Sequence, residues 1–215
     1  MRERKNDIKY LLQLNEEQKQ AKAIILNSII SAIYGAAGSG KSLLAAQIAL
    51  DQLFLYEKKI IIIRPAVTAH EDIGYLKGSA DEKMALFTQP THQNMYKLYN
   101  KDKIDKEIAA GNIIIIPVGY TRGYTFNDCT VIVEEAQNLT YSQTELLLGR
   151  VGKDNCRMIL CGDSAQIDLK NKKDSGFDFI CKHLKDIEGF SVIRLKANHR
   201  HPIVENVLEI FKNYA

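Results

Sequence analysis

Apolar residues along this chain gather into short continuous runs rather than alternating with polar ones. Ile29 to Tyr34 is one such run, and Lys59–Ile63, Asn112–Ile116, Thr130–Val133, Arg157–Cys161 and Phe190–Ile193 follow, most of them rich in Ile or Val. Continuous apolarity fits strands covered on both faces, hence a parallel sheet. Between the runs the spacing becomes helical. Lys41 to Tyr56 repeats Leu44, Ala45, Ile48 and Leu53 on one side, and similar patterns occupy residues around 91–110, 142–150 and 176–186. Asn15 reads as an N-cap with Gln18 at the third helical position, opening a helix to about Asn27. Pro202 suits the first position of a last helix that carries Ile203, Val207, Leu208 and Phe211 inward. The stretch from Pro65 to Pro90 is polar and reads as one long loop, a length that usually signals function or mobility.

This alternation predicts an α/β fold, with a mostly parallel sheet sandwiched between helices. The loops after the strands then share one edge, where ligands bind. With 215 residues, no internal repeat and no Gly-, Pro- or Ser-rich linker, a single domain over 1–215 is expected.

Composition narrows the classes. The chain is 46% hydrophobic and 26% charged, as an ordinary globular protein is. A net charge of +3 is too small to decide for or against nucleic acid. The uncharged stretch from Ala23 to Gly40 has the length of a membrane span, but it holds Asn27, Ser28, Ser31 and Ser39 and ends in a Gly-rich loop, so no membrane segment is expected. The start is mixed in charge, unlike a signal peptide. Cys129, Cys156, Cys161 and Cys181 lack C-x-x-C spacing and read as free thiols of a reduced, cytoplasmic protein. The five histidines form no zinc-binding pattern.

Chemistry enters with Gly35-Ala36-Ala37-Gly38-Ser39-Gly40-Lys41-Ser42. It matches G-x-x-x-x-G-K-[ST] in full, between a predicted strand and a predicted helix, as a P-loop requires. Glycines let the backbone N–H groups wrap a phosphate, and the helix N-terminus adds a favourable field. Lys41 would neutralise β- and γ-phosphate oxygens, and Ser42 would ligate Mg²⁺. Glu134 and Glu135 follow another apolar run. Glu134 is expected to hold the metal and Glu135 to position the attacking water, although the first acid of such pairs is usually Asp. The run Met158–Cys161 ends in Gly162-Asp163-Ser164-Ala165-Gln166, a fitting place for a γ-phosphate sensor.

In this order the motifs resemble those of the PhoH-like ATPases, relatives of the first motor domain of superfamily 1 helicases. Arg64-Pro65-Ala66-Val67, Gly74-Tyr75-Leu76, the Arg122-Gly123 loop before the acids, Glu135-Ala136-Gln137-Asn138, Gly162-Asp163 with Gln166 and Asp168, and Arg200-His201-Pro202 carry the likeness. It runs from about Gln18 to the C-terminus and implies a RecA-like P-loop NTPase that hydrolyses ATP with Mg²⁺. By the same resemblance Gln18 reads adenine, an amide being donor and acceptor at once; the alternative is an exposed helical glutamine. Gln166 would sense the γ-phosphate, with Asp163 supporting the water network. Arg200, in Asn198-His199-Arg200, would contact the γ-phosphate in its own or a neighbouring subunit. The likeness also implies single-stranded RNA or DNA as partner, with Arg64 and Arg122 as contacts, and a homo-oligomer, with a ring as one form. Tyr75, Tyr120, Tyr124 and Phe126 offer rings for base stacking, with core packing the alternative and the favoured one for Phe126. A slow nucleotide-gated switch that binds a protein partner is the second reading. A small-molecule kinase would share the loop but explains neither Gln166 nor Arg200.

Overall fold

The computed structural model describes residues 8, 10–65, 67–68, 71–72 and 80–199, with positions 203, 204, 207 and 210 near the C-terminus; at 67–68, 71–72 and 80–87 only the backbone is described. In chain order the strands are β1 (Ile30–Tyr34), β2 (Lys59–Arg64), β3 (Val67–Thr68), β4 (Glu71–Asp72), β5 (Ile113–Pro117), β6 (Cys129–Val133), β7 (Arg157–Gly162) and β8 (Phe190–Arg194). The helices are α1 (Glu16–Leu26), α2 (Lys41–Tyr56), α3 (Ala80–Leu98), α4 (Lys101–Ala109), α5 (Tyr141–Leu148) and α6 (Gly176–His183).

Six strands form one sheet in the order β5-β2-β6-β7-β1-β8, every pairing parallel. The isoleucine run of β2 explains the layering. Side chains alternate across a strand, so Ile60 and Ile62 join a core with Leu44 and Ile48 of α2 and Ile104 of α4. Ile61 and Ile63 enter a second core with Leu147 of α5 and Phe177 and Ile180 of α6. Helices thus cover both faces, as the continuous apolarity predicts. The polar helix start is also as predicted: Asn15 Oδ1 accepts from Gln18 N at 2.8 Å and Gln18 Oε1 from Asn15 N at 3.1 Å, a closed capping box.

Two expectations need correction. The predicted loop Pro65–Pro90 is part helix, because α3 begins at Ala80 and continues through Pro90. Proline lacks the N–H for the helical ladder and crowds the preceding turn, so it reads as a boundary, but Met95 and Leu98 beyond it are fully buried in the core and that packing carries α3 across it. Two of the residues expected inward near the C-terminus are exposed instead, Ile203 at 60% and Val207 at 44%. Helical spacing reveals an apolar face but not what covers it. Pro202, Leu208 and Phe211 lie outside the described residues. Cys129, Cys156 and Cys161 are buried free thiols. Among the described residues no helix is long and apolar enough to cross a membrane.

Candidate nucleotide site

Three adjacent parallel strands, β6, β7 and β1, end at one edge of the sheet. They deliver the acid pair, the Gly162–Asp168 turn and the Gly35–Ser42 loop side by side. Between these segments lies a cavity of about 260 Å³ lined by Lys41, Ser42, Glu135, Gln137, Asp163 and Gln166, with Asn94 reaching in from α3.

The loop is shaped by close backbone approach. Gly40 caps α2 at φ +84°, and a Cβ there would lie 2.3 Å from Gln18 Nε2. A Cβ on Gly35 would lie 2.3 Å from the Leu195 carbonyl oxygen. The Lys41 ammonium donates to Gly35 O at 2.7 Å and Ala36 O at 3.0 Å, folded over the loop that a phosphate would occupy. The segment after β8 is stitched to the same loop. Leu195 N donates to Tyr34 O at 2.9 Å and His199 N to Gly38 O at 3.0 Å. Glu17 accepts from Lys196 N at 2.8 Å and Ala197 N at 3.0 Å, and these two bonds hold its carboxyl below the usual range. Gln18 is 2% exposed, which removes the exposed-glutamine alternative. Its Oε1 serves the capping box while its Nε2 faces Gly40.

The opposite wall is organised by Gln137, 1% exposed. Its Nε2 donates to Glu135 Oε2 at 2.8 Å and to Gln166 O at 3.1 Å, while its Oε1 accepts from Asp163 N at 3.1 Å. Asp168 N donates to Asn138 Oδ1 at 2.7 Å, fastening the two turns once more. Glu135 itself sits at φ +49°, a left-handed conformation that costs a non-glycine residue ~1 kcal/mol or more and clusters at functional sites.

The structure does not bring Glu134 into this cavity. Its Oε2 accepts from Thr91 Oγ1 at 2.5 Å and lies 3.5 Å from Arg64 Nε. Burial raises its pKa, and Thr91 and Arg64 partly offset that. A glutamate is one methylene longer than the usual aspartate, and this one reaches sideways to α3. The hard oxygen donors that do share the cavity are Ser42, Glu135 and Asp163. They fit Mg²⁺, an ion that takes one or two protein oxygens and the rest from phosphate and water.

Arg122 is exposed, with Tyr120 73% and Tyr124 40% exposed beside it, whereas Phe126 is core at 1%. Arg200 and Tyr75 lie outside the described residues. Gln137, Thr91 and Glu17 are the organising residues that carry no assigned role in the sequence reading. Gln137 could have been suspected from its place two residues after Glu135; Thr91, just past a proline in a polar stretch, gives no signal.

The profile of PhoH-like proteins matches residues 10–212. The chain belongs to the PhoH-like protein family. It is 36% identical to the PhoH-like protein of Synechocystis in an alignment of 199 positions that covers 91% of this chain and 60% of that protein. To the PhoH-like protein of Bacillus subtilis it is 34% identical, across 97% of this chain and 71% of that one. The PhoH-like chain therefore spans about three fifths of its Synechocystis relative. The Pyrococcus furiosus Hef helicase domain shares the fold at a TM-score of 0.51 and 15% identity, over 91% of this chain and 40% of that one. The fold is thus that of a RecA-like P-loop domain, with helices on both faces of a parallel sheet.

Proposed function

We propose that this chain hydrolyses ATP with Mg²⁺ and couples hydrolysis to single-stranded nucleic acid, RNA foremost. The observation that carries the reading is a cavity lined by Lys41 and Ser42 together with Glu135, Asp163 and Gln166. A phosphate binder needs only the first two. An acid set opposite them, fixed by Gln137, suits positioning of an attacking water, and Gln166 suits a γ-phosphate sensor. Mg²⁺ would be held by Ser42 with the facing acids and would supply charge neutralisation at the phosphates. Gln18, buried beside Gly40 of the loop, suits adenine selection, and the γ-phosphate contact of Arg200 rests on the resemblance of its motif.

The nucleic-acid partner is supported by Arg64 at the end of β2 and by exposed Arg122 between Tyr120 and Tyr124. Rings of this kind stack on bases of any sequence. We take 1–215 as one catalytic domain of a cytoplasmic homo-oligomer, in which Arg200 acts on its own or a neighbouring nucleotide. Purified protein should release phosphate from ATP with Mg²⁺, and Lys41→Ala should abolish it. Absence of such turnover sinks the reading. A second reading, a slow nucleotide-gated switch for a protein partner, is favoured by Glu134 standing outside the cavity; a rise in turnover in Glu134→Asp would support it.

A further inference from the structure

The two acids after β6 point to different places. Glu135 lines the cavity, while Glu134 is gripped from α3 by Thr91 and approached from β2 by Arg64. Backbone pairing fixes this neighbourhood. Ile63 stands opposite Val133 in the ladder, and Glu134 N donates to Ile63 O at 2.9 Å. The next residue on each strand is therefore Arg64 beside Glu134. Thr91 is 3% exposed and Glu134 9%, but the Arg64 side chain keeps 21% of its surface open at the sheet edge.

These contacts differ in strength. The Thr91 hydroxyl makes one short bond to the carboxylate. The guanidinium, at 3.5 Å, is beyond good hydrogen-bond range and acts mainly through charge. A phosphodiester offers Arg64 the same kind of anionic partner with better, bidentate geometry. Once Arg64 turned to a strand, Glu134 would be a buried carboxylate without its countercharge, a costly state. The cavity at the ends of β6, β7 and β1, where Ser42, Glu135 and Asp163 would hold Mg²⁺ with the nucleotide, would offer the carboxylate a cation in its place.

Resting on the nucleic-acid reading above, we propose that Thr91 and Arg64 hold Glu134 outside the nucleotide cavity, and that a strand phosphate taken up by Arg64 releases it to turn inward. Thr91 is then a positioning residue that sets how firmly the acid is held. Strand binding and nucleotide binding are linked through one carboxylate, and the linkage is reciprocal.

The test uses the full chain, a labelled single-stranded oligouridine at low salt and a fluorescent ATP analogue with Mg²⁺. Oligouridine should tighten analogue binding by about 5-fold or more, and the analogue should tighten oligouridine binding by the same factor. Thr91→Val, similar in shape but without the hydroxyl, should tighten analogue binding in the absence of oligouridine and shrink the coupling factor towards one. Thr91→Ser should restore the wild-type factor. Glu134→Gln, whose effect does not depend on the Thr91 site tolerating substitution, should also remove the coupling. If oligouridine binds and Thr91→Val and Glu134→Gln keep the wild-type factor, the proposal is overturned and the nucleic-acid reading stands. If oligouridine does not bind at all, both fall together.

Discussion

Gln137→Leu removes the side chain that joins the acid turn to the sensor turn while nearly keeping its volume. Three hydrogen bonds disappear: to Glu135 Oε2, to Gln166 O and from Asp163 N. A neutral bond contributes about 1 kcal/mol net, and one to a charged group about 1.5–3 kcal/mol. The Asp163 N–H is left with no partner in an 8% exposed residue. Leucine recovers part of this through its apolar surface, so the net loss should be about 3 kcal/mol. That is a large share of the stability of a typical domain. Urea unfolding followed by circular dichroism should show the midpoint fall with the slope unchanged. The melting temperature should drop by about 6–12 °C. Turnover should fall as well, because Glu135 and Gln166 lose their common support. A stability loss under about 1 kcal/mol would refute the reasoning, since leaving the buried Asp163 N–H without a partner costs at least that much by itself.

Gly40→Ala should cost about 1–2 kcal/mol for a side chain in the left-handed region, because φ is +84° and the new Cβ meets Gln18 Nε2 at 2.3 Å; a fluorescent ATP analogue should no longer bind, as titration would show. Glu17→Gln should lower the melting temperature at neutral pH. The Lys196 and Ala197 N–H groups hold the folded-state pKa of Glu17 down, so its stabilisation is present above the ordinary carboxylate range and is lost as pH falls through the folded value. The gap between variant and wild type should close on acidification; a constant gap would contradict the bonds.

Much of this architecture is legible in the sequence because its signals are local. The isoleucines of β2 announce a strand buried on both faces, and Ile60–Ile63 do divide between two cores. Asn15 and Gln18 announce a helix start and form its capping box. The loop 35–42 is a covalent pattern, so its place between β1 and α2 follows directly. What is not legible depends on partners far apart in sequence. No pattern around Glu134 reveals that Thr91, 43 residues earlier, takes its carboxylate. Pro90 suggests a boundary, although α3 continues through it, because tertiary packing outweighs the cost of one proline. The apolar stripe of Ile203 and Val207 is readable, but its exposure is not.

Turnover and nucleotide affinity of Glu135→Gln, measured together, test the central claim most directly. The substitution keeps the shape of the one acid of the pair that lines the cavity and removes its charge. The account predicts that the variant binds a fluorescent ATP analogue nearly as wild type does, while phosphate release falls by about 10²-fold or more, the scale expected for a group that assists proton transfer. Phosphate release close to the wild-type rate would contradict it.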